Sequence, residues 1–254
     1  MQASIVFTVA QSKRLIARAV ATMPEVKRAL ASGLVAIGRG TTNAYVAEEV
    51  LQRELPKGEY VAGRTLPPGT PDAWFGSMKY PDIVLRNGQP VDGLAVLDAV
   101  REMKAGDVFI KGGNALNYDQ QVVGILVGHP LGGTISAYGA LISRKVNLII
   151  PIGLEKLVFE DINDLSRASR EGDDHPAAPV TSLFPMTGTI VTEIEALGLL
   201  CGVDARLLSA GGVAGAEGAV WLLLEGEKEQ LDAALALHNE LKAEPNLGLA
   251  NKPV

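Results

Sequence analysis

Three short segments concentrate glycine with cationic or hydroxyl side chains, each at the end of an apolar run: GRGTTN at 38–43, KGGNALN at 111–117 and GHPLGGT at 128–134. In α/β proteins ligands bind in loops outside the carboxyl ends of parallel strands, where a strand hands its chain to a helix. The first segment offers backbone N–H groups at a helix start, the Thr41 and Thr42 hydroxyls, the Asn43 amide and the Arg39 guanidinium. Such a set suits a small anion. A plain turn fits the same residues, with Gly38 and Gly40 making the bend and Thr42 capping the helix. The segment is neither a Walker A loop, because no Gly-Lys-Ser/Thr follows, nor GxGxxG, because Asn43 stands where the third glycine belongs.

The second segment places Lys111 at the end of an apolar strand, where an unpaired ammonium is costly to bury. It reaches solvent or meets an anion, and Gly112, Gly113 and Asn114 beside it permit a ligand to come close. The third segment contributes Gly132, Gly133 and Thr134, with His129 before a proline. His175 lies in a charged stretch and His238 on a helix, so no metal-ligand spacing exists. There is no GxSxG elbow, and Cys201 has no evident base. Neither a metal nor a cofactor is expected.

The elements that must hold these loops read as an α/β fold. A helix carrying Leu15, Ile16, Ala19 and Val20 on one face is expected from Ser12, then a second from Pro24 to Gly33. A strand at 34–37 leads to a helix at 44–55, and the Pro- and Gly-rich stretch 56–93 reads as a long connection or inserted hairpin. Alternation resumes with helix 94–104, strand 107–110, a helix start near Asn114, strand 121–127, helix 135–144 and strand 146–152. Residues 160–178 read as a charged, solvated link. Strand 180–184, helix 188–200, strands 204–209 and 218–224 and helix 227–243 then make most of a ferredoxin-like unit. The expected fold is a three-layer, mostly parallel, Rossmann-like sheet over residues 1–160, with a smaller ferredoxin-like βαββα lobe within 161–254.

Composition narrows the function classes. With 47% hydrophobic residues but only 5% aromatic, the core should be aliphatic. A formal charge of −6 without a basic run argues against nucleic acid or an anionic membrane as partner. One cysteine excludes a disulfide framework and points to a reducing compartment. The apolar runs at 122–127 and 146–152 are too short to span a bilayer, and MQASIVFTVAQSKR lacks the basic region of a secretory leader. A cytoplasmic protein is expected, and its many aliphatic helix faces suggest a homo-oligomer.

Read together, "GLVAIGRGTTNAYVAEEVL", "FIKGGNALNYD" and "RKVNLIIPIGLEKLV" resemble ribose-5-phosphate isomerases, which carry a GTGST phosphate loop and a KGGGGALLRE segment. The stretch "GNALNYDQQVVGILVGHPLGGTISAYGALISRKVNLIIPIG" is similar to methylthioribose-1-phosphate isomerases. Both belong to a superfamily that includes glucosamine-6-phosphate deaminases and CoA transferases. The resemblance covers about residues 25–55 and 105–210. It implies that Gly38, Gly40, Thr41 and Thr42 hold a phosphate, that Lys111 contacts the substrate, and that Asp119 falls where the family's catalytic Glu stands. The family's DGADE motif is replaced by MKAGDVF, with Asp107 alone.

Three functions follow. The first is an enzyme acting on a phosphorylated sugar or similar small anionic metabolite, with Asp119 moving a proton between adjacent carbons and Lys111 stabilising the enediolate oxygen. The second is a non-catalytic binding or sensor protein, which the missing acidic motif favours. The third is acyl-CoA transfer with Glu217 of GGVAGAEGAV as nucleophile, against the simpler use of that stretch as a hairpin connection.

Overall fold

The structure, a computed structural model, describes residues 1–63, 65–66, 68–69, 80–128 and 133–247, with only the backbone at Gly133 and Thr134. The chain opens with β1 (Gln2–Phe7) and α1 (Val9–Thr22). Thr8 caps α1 in a reciprocal box with Gln11, four residues before the expected cap, and Ser12 is buried inside the helix. The expected apolar face is there: Leu15, Ile16, Ala19 and Val20 are all buried. Pro24 starts α2 (Pro24–Ser32), and Gly33 leads into the wholly buried β2 (Leu34–Ile37). Gly40 precedes α3 (Thr41–Leu51), so this helix begins before the expected Ala44, and Thr42 lies inside it rather than capping it.

The long connection carries a hairpin, β3 (Ile83–Arg86) and β4 (Gln89–Pro90). Asn87 and Gly88 turn it with φ of 51° and 76°, the left-handed pair that a two-residue hairpin demands. Of the turn PPGTPDAW at 67–74, only residues 68 and 69 are described. Then follow α4 (Val96–Glu102), β5 (Val108–Ile110), β6 (Ala115–Asn117), β7 (Val122–Val127), α5 (Gly133–Ser143) and β8 (Asn147–Pro151). The helix expected near Asn114 is instead the strand β6. The Asn117 side chain accepts from the Gln120 N–H at 3.1 Å, which reverses the chain instead of continuing it as a helix.

The charged link contains α6 (Ile162–Ala168), capped by the Asp161 carboxylate and anchored by buried Ile162 and Ser166. After β9 (Ser182–Met186), the helix expected from 188 is delayed by β10 (Thr189–Val191). The reason is local. Thr-Ile-Val favours an extended chain, and Thr192 with Glu195 forms a capping box that starts α7 (Glu193–Cys201). The chain ends its regular structure with β11 (Asp204–Ala210), β12 (Val220–Glu225) and α8 (Lys228–Leu241).

These elements make a mixed α/β fold. A six-stranded sheet runs in the order β10-β8-β5-β2-β3-β4. Its first four strands are parallel, and the hairpin adds antiparallel to β2. The two antiparallel sheets are β6-β7-β9 and β1-β12-β11. Two expectations are thereby corrected. The strand near 180–184 pairs with β7 instead of joining β11 and β12, and its place beside β12 is taken by the N-terminal β1, so the βαββα lobe is not formed. Nor does the chain divide at residue 160. β10 completes the large sheet while β1 completes a small one, and one hydrophobic cluster runs from Ile5 through Leu148 to Leu241. α1 is the hub, packed on α3 and α7, and it holds the small sheet against the large one.

Candidate functional site

The carboxyl ends of β2, β5 and β8 open into a cleft of about 1020 Å³, closed by the first turn of α1, by β7 and by the β11–β12 loop. Segment 38–43 forms its floor. Asn43 is buried, and its Nδ2 donates to the Gly38 carbonyl at 2.6 Å, holding the loop rigidly against the sheet. The Gly38 N–H donates to the Ile110 carbonyl at 2.8 Å, and the Gly40 N–H to the Tyr60 carbonyl at 2.9 Å. Gly40 therefore has no N–H to give a ligand, contrary to expectation. Those of Thr41, Thr42 and Asn43 head α3, where helix geometry leaves them without an intrahelical acceptor. The buried Thr42 hydroxyl and the Tyr45 hydroxyl, both on cleft-lining residues, have no hydrogen-bond partner among the described residues. Arg39 lines the cleft, but its Nε lies 2.8 Å from Asp82, so its charge is already matched.

Lys111 stands where the sequence predicted a ligand contact, at the end of the central strand β5. Its Nζ donates to the Arg39 carbonyl at 3.2 Å. Burial, reinforced by the neighbouring Lys156 ammonium, brings its pKa down to about 8. Gly112 and Gly113 have a packing reason. A Cβ on Gly112 would sit 3.0 Å from the Pro151 carbonyl, and one on Gly113 would sit 2.0 Å from Val123 Cγ1. Asn114 lines the cleft, and its Oδ1 accepts the Leu126 N–H at 3.1 Å.

Two further lysines converge here that the sequence reading did not single out. Lys13, on the first turns of α1, has its pKa lowered to about 8 by burial and by Lys156, against an opposing pull from Glu155. Lys156, in the 3-10 turn Leu154–Lys156 after β8, donates to the Gly113 carbonyl at 2.8 Å. Burial lowers its pKa too, opposed by Glu155 and Glu193. Lys156 had a legible signal, since it follows a strand end in "PIGLEKLV" as Lys111 does in "FIKGG". Lys13 had none, because only the packing of α1 across the sheet edge brings it in.

Behind the lysines lies a buried carboxylate. Glu193 is fully buried, and its Oε2 accepts the Leu154 N–H at 2.9 Å. Burial and the nearby Glu155 push its pKa up, while Ser12 and the Leu154 N–H pull the other way. Glu217 is the single carboxylate among the described lining residues. It sits in the β11–β12 loop, where its oxygens accept the Gly215 N–H at 3.0 and 3.2 Å, and backbone donors lower its pKa.

Asp119 does not join the site. It is exposed in the turn between β6 and β7, at the end of that hairpin away from Lys111, and does not line the cleft. Gly132 and His129 lie outside the described residues, and of Gly133 and Thr134 the structure gives the start of α5. Among the described residues no cluster of three or more His, Cys, Asp or Glu could hold a metal, and no helix is long and apolar enough to cross a membrane. A smaller hollow of about 500 Å³ includes Arg18 and Cys201, but Arg18 is already paired with Glu240 at 2.9 Å.

The cleft of this acidic protein gathers a helix amino terminus, three lysines that form no ion pair among the described residues, and two hydroxyls without a partner among them. The chain matches no known family model, no curated protein and no solved structure.

Proposed function

We propose that the cleft binds a phosphorylated sugar or similar small anionic metabolite and acts on it by isomerase-like proton transfer. The observation that carries the reading is that Lys13, Lys111 and Lys156 line one cleft with the amino terminus of α3, against one carboxylate among the described lining residues. Cations focused in a cleft raise the local concentration of an anionic substrate, and a chain of net charge −6 makes that local reversal a specific feature. Desolvated lysines are unfavourable without an anion, so a bound phosphate is stabilised by relieving them. Glu217 lines the cleft and Asp119 does not, which supports Glu217 as the carboxylate that exchanges a proton with the bound molecule. The Rossmann-like, sugar-phosphate-isomerase resemblance of the sequence supports the same reading through Thr41, Thr42 and Lys111.

The experiment is a thermal-shift panel of sugar phosphates, each beside its unphosphorylated sugar and inorganic phosphate. A ligand at a hundred times its Kd adds about 2.7 kcal/mol of stability. For a chain this long that is a rise of about 5 °C or more in Tm. No phosphorylated compound raising Tm above its sugar would refute the reading.

A further inference from the structure

Lys111 has a placement that charge neutralisation alone does not require. It leaves the middle of the parallel sheet, with β8 on one side and β2 on the other, and lines the cleft. None of the ion pairs among the described residues includes it. Lys57, by contrast, rests on both oxygens of Glu48, at 2.9 and 3.1 Å. Lys111 instead donates one hydrogen bond, to the carbonyl of Arg39, the residue just before the Gly40 cap of α3. Its nitrogen is thus held beside the anion loop with its remaining valences directed to no protein group. We propose that Lys111 is a covalent nucleophile that forms a Schiff base with a small phosphorylated aldehyde or ketone, whose phosphate is held by the amino terminus of α3. This inference rests on the anion-binding reading above.

The chemistry balances without a further reactant. The free amine of Lys111 adds to the carbonyl carbon, the C=O π pair moves to oxygen, and a proton passes from nitrogen to that oxygen, giving a carbinolamine. Loss of the hydroxyl with a second proton as water leaves the C=N bond. Nucleophilic lysines need a population of free amine, which desolvation and a neighbouring cation supply. With its pKa at about 8, Lys111 holds about 300 times more free amine at neutral pH than a lysine at 10.5. Lys156 lies beside Lys111, and its charge lowers the proton affinity of Lys111. The nearness of Nζ to the loop selects a carbonyl only a few carbons from the phosphate.

The test is reductive trapping. The protein is incubated with glycolaldehyde phosphate or with glycolaldehyde, reduced with borohydride, and mapped by peptide mass spectrometry. The phosphorylated aldehyde should label Lys111 at least tenfold faster than exposed Lys104 or Lys145, excess inorganic phosphate should suppress that labelling, and its rate should level off near pH 8. Lys111→Arg should lose the adduct while keeping stabilisation by phosphate. Labelling spread evenly over Lys104, Lys145 and Lys111, or concentrated on Lys13 or Lys156, overturns the assignment. The thermal shift with inorganic phosphate separates two failures. Stabilisation without a Lys111 adduct removes the covalent step alone, whereas no stabilisation removes the anion site beneath it.

Discussion

Replacing Lys111 with methionine should make the ligand-free protein more stable and the binding worse. Methionine keeps most of the aliphatic stem and removes the charge. A lysine whose native pKa is depressed binds its proton more weakly in the folded chain than in the unfolded one. The cost to stability is complete below the native value of about 8, shrinks as pH rises, and is gone above 10.5. That gap corresponds to at most about 3 kcal/mol at neutral pH, reduced by solvent screening because the side chain is only partly buried. Losing the hydrogen bond to the Arg39 carbonyl returns about 1 kcal/mol. The net is a gain of about 1–2 kcal/mol at pH 7, a Tm higher by about 2–4 °C. Calorimetry from pH 7 to 10.5 on both proteins, with and without inorganic phosphate, is the assay. The two curves should converge toward pH 10.5, and phosphate should stabilise the parent more than the variant. A variant less stable than the parent at pH 7, or one that responds to phosphate equally, would refute the reasoning.

Gly113→Ala should destabilise by about 1–3 kcal/mol in urea unfolding, because its Cβ would meet Val123 Cγ1 at 2.0 Å, and Val123→Ala in the same chain should recover part of the loss. Glu193→Gln should flatten the pH dependence of stability. The raised native pKa favours the protonated acid, so Glu193 penalises folding progressively as pH climbs above its ordinary 4.5, and an amide does not. A parent and variant with parallel pH–Tm curves would contradict that. Asp119→Asn should leave ligand-induced stabilisation unchanged, since its carboxylate is exposed in a hairpin turn; a loss of more than threefold in apparent affinity would return it to the site.

Chemistry written into contiguous residues was legible. Gly38–Asn43 and Lys111–Asn114 could be placed at strand ends because the apolar runs 34–37 and 108–110 are short and uninterrupted, the first ending at Gly38 and the second at Lys111-Gly112-Gly113, and both became buried parallel strands whose loops meet. Asp119 does not line the cleft, because eight residues after Lys111 fixes nothing about distance once the chain turns into an antiparallel hairpin. The helix at 188 failed because three residues of strand are too few to show a period, although the capping box at Thr192 marked the true start.

By itself the sequence determined local matters: which stretches are apolar, where glycines and caps allow a chain to turn, and that a cationic loop chemistry sits on an aliphatic α/β scaffold in an acidic chain. Only the tertiary structure decided which elements are neighbours. Strand pairing depends on burial across the whole molecule, so residues 2–7, with no partner nearby in the chain, found β12 more than two hundred residues later. That pairing carries α1 across the carboxyl edge of the large sheet and brings Lys13 into the cleft with Lys111 and Lys156. Their lowered proton affinity is a property of that shared, desolvated space and of no single segment.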